Sequence, residues 1–124
     1  MTGITFDTGA LVALERRKQR MKEIVERALA TDQRITVPAD VVGEWWRGRT
    51  DVRERILASV DVESLTERLA KIAGEALAAV KGATLVDAIV MASAASRADV
   101  VYSSDIHDLE RLRKHFPNVN VLAV

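Results

Sequence analysis

The chain has 124 residues, about the size of one domain, with 48% hydrophobic and 29% charged residues and a formal net charge of zero. It holds no cysteine and only two histidines, which excludes disulfides and thiolate or histidine-rich zinc sites and leaves any metal to oxygen ligands, favouring Mg²⁺ or Mn²⁺. The balanced charge argues against a general nucleic-acid coat but leaves room for local basic patches, and the sequence shows neither a leader-like apolar run nor one long enough to span a bilayer, so it predicts a soluble, cytoplasmic protein with no membrane partner. In chain order, "ITFD" (4–7) is a short β-rich run ending in a carboxylate, and "TGALVALERR" continues with helical character. Residues 19–30 place Met21, Ile24, Val25, Ala28 and Leu29 on one helical stripe. "RITVP" (34–38) reads as a second strand closed by Pro38, and "ADVVGEWWRG" as a helix with Asp40 as N-cap and Gly48 as stop. "RILASVDVESL" splits into a short helix ending near Leu57 and a weak strand at Val60–Val62. "TERLAKIAGEALAAVK" is amphipathic, with Leu69, Ile72, Ala73, Ala76 and Val80 in register, and "GATLVDAIVMASAAS" (82–96) is the next helix. "DVVYSSD", "IHDLERLRKHF" and "NVNVLAV" close the chain as strand, helix and strand, with no linker or repeat between elements. Strands alternating with helices predict an α/β protein, a mostly parallel sheet between helical layers, in one domain over 1–124.

Asp87 is the only charge in its helix, and an isolated carboxylate in an apolar helix is costly unless something pairs with it. Other acids stand at element boundaries: Asp7 and Asp105 end strands, and Glu44 lies early in the helix after the second strand. With the first strand central, between "ITVP" and "VVYSS", Asp7 and Asp105 flank the point where strand order reverses, and Glu44 and Asp87 approach the same end of the sheet. Convergent carboxylates coexist only when protonated or when a cation neutralises them, and a divalent cation is the economical answer. Each acid also has a plain structural role open to it. Asp7 and Asp105 are suited to capping the helices that follow them, and Asp108 to the first-turn dipole. Thr84 and Asp87 have capping-box spacing, and Glu44 projects away from the Val41, Val42, Trp45, Trp46 stripe as a solvated residue does.

"FDTGALVAL", "VPADVVGEWWRG", "LVDAIVMASAASRADVVYSSDIHDLERL" and "NVNVLAV" together resemble a PIN-domain protein, and most closely the VapC toxins of bacterial toxin–antitoxin pairs. The resemblance spans nearly the whole chain in order, spacing and length. It implies a PIN-like three-layer α/β/α sandwich with a mostly parallel sheet of four to five strands, and a metal-dependent endoribonuclease using Mg²⁺ or Mn²⁺. The family's four acids fall on Asp7, Glu44, Asp87 and Asp105, implied as both catalytic residues and metal ligands. Asp108 is an additional acid nearby, and Ser103 stands where a threonine is common. The resemblance also implies a homodimer and a cognate VapB-like antitoxin whose tail occupies a groove near the acids.

An RNA substrate needs cationic contacts. Arg16, Arg17, Lys18 and Arg20 form one group and Arg47, Arg49, Arg53 and Arg55 a second; Arg111, Arg113 and Lys114 form a third, read as solvated helix surface. Arg47 and Arg49 are the favoured RNA contacts because they follow Glu44 closely. Adjacent Trp45 and Trp46 point different ways on a helix, so one is available to an interface. Two other readings compete. A phospho-accepting receiver domain needs an acid pair after its first strand, where this chain has the single Asp7. A catalytically silent PIN-like module that binds RNA or protein without cutting is separated only by assay.

Overall fold

The computed structural model describes residues 2–124; Met1, the first residue of the expected domain, lies outside them. The strands are β1 (Ile4–Phe6), β2 (Ile35–Pro38), β3 (Asp61–Glu63), β4 (Val100–Ser103) and β5 (Asn120–Ala123). The helices are α1 (Thr8–Glu15), α2 (Gln19–Ala30), α3 (Ala39–Trp45), α4 (Asp51–Ala58), α5 (Glu67–Ala79), α6 (Leu85–Arg97) and α7 (Ile106–Leu112). The strands form one sheet of order β3-β2-β1-β4-β5, and all four pairings are parallel. The expected α/β architecture therefore holds, with five strands and β1 at the centre. Helices α1–α4 serve the crossovers that step outward from β1 to β3, and α5–α7 those that return to β4 and β5. Because parallel crossovers are right-handed, the two sets cover opposite faces of the sheet.

Burial follows that layering. Every residue of β1 and β2 is buried, as parallel strands covered on both faces require, while the edge strands β3 and β5 are largely exposed. Helix α6 packs on β1, β2, β4 and α5, and its residues Ala88–Ala94 are all buried. A helix apolar nearly all round belongs in a core, which explains the run around Asp87. Side-chain oxygens cap four helices: Asp7, Thr50, Thr66 and Thr84 accept from the amides of Ala10, Arg53, Leu69 and Asp87.

Four local expectations are corrected. Leu29 is 61% exposed although it was placed on the apolar stripe; the core face of α2 is Met21, Ile24 and Ala28. Asp40 is not the N-cap of α3: no loop separates β2 from α3, so Pro38 takes the cap position and Asp40 falls inside the first turn. That helix ends at Trp45, ahead of Gly48. The weak strand lies one residue later than expected, at Asp61–Glu63.

A buried ionic network spans the sheet face. Arg97 donates from Nε to Asp99 at 3.0 Å and from Nη1 to Glu63 at 2.6 Å, while Thr5 of β1 donates to Asp99 at 2.8 Å. Asp99 is only 2% exposed, so its charge depends on that guanidinium. Arg97→Met leaves Asp99 and Glu63 without a cation and is expected to cost about 3 kcal/mol, read as a lower urea midpoint with an unchanged m-value.

Candidate functional site

The parallel topology delivers acids to one end of the sheet. Asp7 directly follows β1 and Asp105 follows β4; Asp40 lies in the first turn of α3, which starts where β2 ends, whereas Glu44, expected early in that helix, lies in its last turn because the helix is only seven residues long. Asp87 and Asp108 lie in the first turns of α6 and α7. Strand order reverses between β1 and β4, the place where open α/β sheets leave a crevice beyond their carboxyl ends.

Asp7 is buried, and its Oδ1 accepts from the Ala10 amide at 2.9 Å, so the capping role is real. Burial pushes its carboxyl above the usual range; the Ser103 hydroxyl and the Ala10 amide pull it back, and the Asp105 charge raises it further. Asp87 is half-buried and pushed up to about 6. Burial is the largest cause, the Thr84 hydroxyl opposes it, and the charges of Asp108, Asp7 and Glu44 add to it. Asp108 is raised first by its hydrogen bond with Asp105 and then by the Asp105 charge, against Arg111 and His107. Asp7, Glu44, Asp87, Asp105 and Asp108 thus form one electrostatic neighbourhood.

The supporting contacts are short. Thr8 Oγ1 donates to Glu44 Oε1 at 2.6 Å, fixing an otherwise exposed carboxylate beside Asp7's helix. Ser103 is buried, and its hydroxyl accepts from the Asp105 amide at 2.9 Å. Asp105 occupies the N-cap position of α7 but makes no side-chain cap bond, so its carboxylate is left to Asp108. Asp40 was read only as a cap. Both of its carboxylate oxygens are buried; burial raises its pKa, the Asp40 and Val41 amides oppose that, and the Glu44 charge adds to it. Its position one turn before Glu44 was the available signal.

No arginine or lysine pairs with any of these acids among the described residues. The same protein gives buried Asp99 an arginine, whereas buried Asp7 has none. Among the described residues no group of three or more His, Asp or Glu side chains stands close enough to hold one metal ion. The donor set suits a hard divalent cation in type and charge, all carboxylate and hydroxyl oxygen. Glu44 and Asp105 are exposed, so both have room to turn toward an ion, Glu44 from its bond with Thr8.

The cationic candidates are engaged by nearby residues. Arg47 donates to the Trp46 carbonyl at 2.8 Å, and Arg49 pairs with Asp51 on the surface at 3.2 Å. Arg53 pairs with Glu15, which also accepts from Trp45 Nε1 at 2.9 Å. Trp45 is therefore a core residue, and Trp46 is partly exposed, edge-on to it.

Gly9 sets the spacing between the two strand ends. A Cβ there would lie 1.8 Å from Ser104 Oγ and 2.8 Å from Ser104 Cβ. Gly9→Ala is expected to destabilise by about 1–3 kcal/mol, with Ser104→Gly restoring most of it in the double variant, read by denaturant titration. The raised carboxyl of Asp87 also sets a pH dependence. Between pH 3.8 and about 6 the folded state holds this proton more tightly than the unfolded chain, so the contribution of Asp87 to metal-free stability is greatest below this window and is lost as pH rises through it. Asp87→Asn should reduce that fall, leaving the part due to Asp7 and Asp40, and stabilise the metal-free protein at pH 7 by about 1–2 kcal/mol, allowing for the carboxyl's partial exposure, in thermal melts across pH.

The model of the PIN domain matches residues 4–114. No curated protein matches the sequence. Among solved structures, the chain is similar to VapBC2 from Rickettsia felis, bound to a promoter DNA fragment, at 14% identity over 98% of both chains with a TM-score of 0.75. It is also similar to DNA-bound VapBC from Salmonella typhimurium, at 17% identity over 99% of this chain and 98% of the other, TM-score 0.73. A toxin–antitoxin complex from Klebsiella pneumoniae matches at 18% identity over 94% and 95%, TM-score 0.68. These likenesses support the fold, and the family model extends over nearly the whole described chain: this protein belongs to the PIN domain family.

Proposed function

We propose that this chain is a metal-dependent endoribonuclease, the toxin of a VapBC-type toxin–antitoxin pair, acting as a single domain over 1–124. The observation that carries the reading is a set of acids without cationic partners at the strand-order reversal of a PIN-family sheet. Asp7, Glu44, Asp87 and Asp105 would hold Mg²⁺ or Mn²⁺, with Asp108 in support. The cation, when bound, supplies Lewis acidity and lowers the pKa of the attacking water.

The protein's own groups set the geometry. Asp7 is fixed by the Ala10 amide and the buried Ser103 hydroxyl, and Asp87 by the packed body of α6. Thr8 orients Glu44. Together they present negative charge to a cation and exclude an RNA phosphate that arrives without one, which makes substrate entry dependent on the metal. A VapB-like antitoxin as partner is supported by the VapBC complexes that share the fold. Homodimerisation and a cytoplasmic location complete the proposal; no helix among the described residues is long and apolar enough to cross a membrane.

The test is cleavage of total bacterial RNA by purified protein with Mg²⁺, with Mn²⁺ and with EDTA. The expected outcome is discrete fragments that need the metal and fall at least about 100-fold in rate for Asp7→Asn and Asp87→Asn. Intact RNA under every condition, with no metal-induced rise in melting temperature, would sink the reading and favour a binding-only module.

A further inference from the structure

A groove of about 570 Å³ lies between the end of α5 and α7. Lys81, His107, Arg111, Lys114 and His115 line it, with Glu110 as its single carboxylate. The volume is in the range of sites that take a small-molecule-sized segment. Arg113 engages Glu110 at 3.3 Å, so the one negative charge is offset from outside the groove. Lys81, Arg111 and Lys114 make no ion pair among the described residues. In a chain of zero net charge, this concentrates positive potential on one cavity. The carboxyl ends of α5 and α7 attract cations through their dipoles, but that accounts for about one cation per helix end. It leaves the third cation and both imidazoles on the same wall unexplained.

The groove adjoins the acid site. Arg111 Nη1 lies over Gly82, where a Cβ would come within 2.9 Å of it, and Gly82 has φ +82°. This packing ties the groove to the turn that leads into α6 and Asp87. Arg111 and His107 act on the charge of Asp108, and Asp108 acts on that of Asp87.

Resting on the nuclease reading above, we infer that this groove binds the sugar–phosphate backbone of the single-stranded RNA beside the bond to be cut. A strand crossing α7 passes from a basic groove that holds phosphates without a metal to an acidic site that accepts a phosphate only with one. The groove has the volume of a nucleotide-sized segment, and a flexible single strand is the RNA form that can follow both the groove and the acid site.

The experiment is fluorescence anisotropy with a labelled single-stranded RNA in EDTA, in the Asp87→Asn background, so that binding is read without cleavage. Lys81→Glu/Lys114→Glu is expected to weaken binding at least about tenfold and to flatten the log–log salt dependence by about 1.4. Lys22→Glu/Arg68→Glu, an equal charge reversal on exposed positions of α2 and α5, should stay within about threefold. Lys81→Gln/Lys114→Gln repeats the test with a milder change should the reversal lower the melting temperature. Equal losses in the groove and control variants, no loss in the groove variants, or no binding by the parent protein would overturn the inference. A loss of antitoxin binding with RNA affinity intact would assign the groove to the protein partner instead. Because cleavage is not the readout, a chain that binds RNA through the groove but never cuts it would refute the nuclease reading alone.

Discussion

Mutual repulsion of carboxylates is the constraint around which this molecule is arranged. A parallel sheet that reverses its strand order at β1 and β4 must bring the segments after those strands together, and here both segments carry acids. Helices α3, α6 and α7 add Asp40, Glu44, Asp87 and Asp108. The site is held by the fold against its own electrostatics: Asp7 is capped, Asp87 is embedded, and the surrounding apolar core supplies the stability that their repulsion removes. Elsewhere the chain follows the ordinary rule, and Asp99 receives both an arginine and a threonine.

The acids also divide by freedom of movement. Asp7 and Asp87 belong to packed elements, whereas Glu44 and Asp105 sit at exposed positions and have hydroxyl or carboxyl neighbours that hold them only locally. Such a site combines two fixed carboxylates with two adjustable ones, and on the proposed reading small differences in reach at Glu44 or Asp105 would tune which hard cation is preferred.

Much of this was legible in the sequence. Strand–helix alternation pointed to the α/β class, the central place of β1 was a supposition that the strand order bears out, and Asp87 drew notice because one charge in an apolar helix demands a reason. What was hidden depends on junctions and third partners. The direct passage from Pro38 into α3 moved Asp40 out of the cap position, and no local pattern announces a loop of zero length. The Arg97–Glu63 pair spans 34 positions, so neither residue stands out alone. Of two adjacent tryptophans, only the contact with Glu15 shows which is core. The third basic group reads as helix surface until α5 is placed beside α7, when Arg113 separates as a structural residue and Arg111 and Lys114 face a groove.

The register of the central strands has a consequence for how the chain comes to be folded. Ile4–Phe6 pair with Val100–Tyr102, nearly the full length of the chain away, whereas the β1–β2 pairing needs only the residues up to Thr36. Long-range parallel pairing is slow, since a large loop must close before the contact is rewarded. As the polypeptide leaves the ribosome, one half of the sheet can assemble early while β1 keeps an open flank. Asp7 then meets Asp105 only after β4 has emerged, so a product truncated before β4 lacks the assembled site. The topology that concentrates the acids also delays their concentration until that late strand is made.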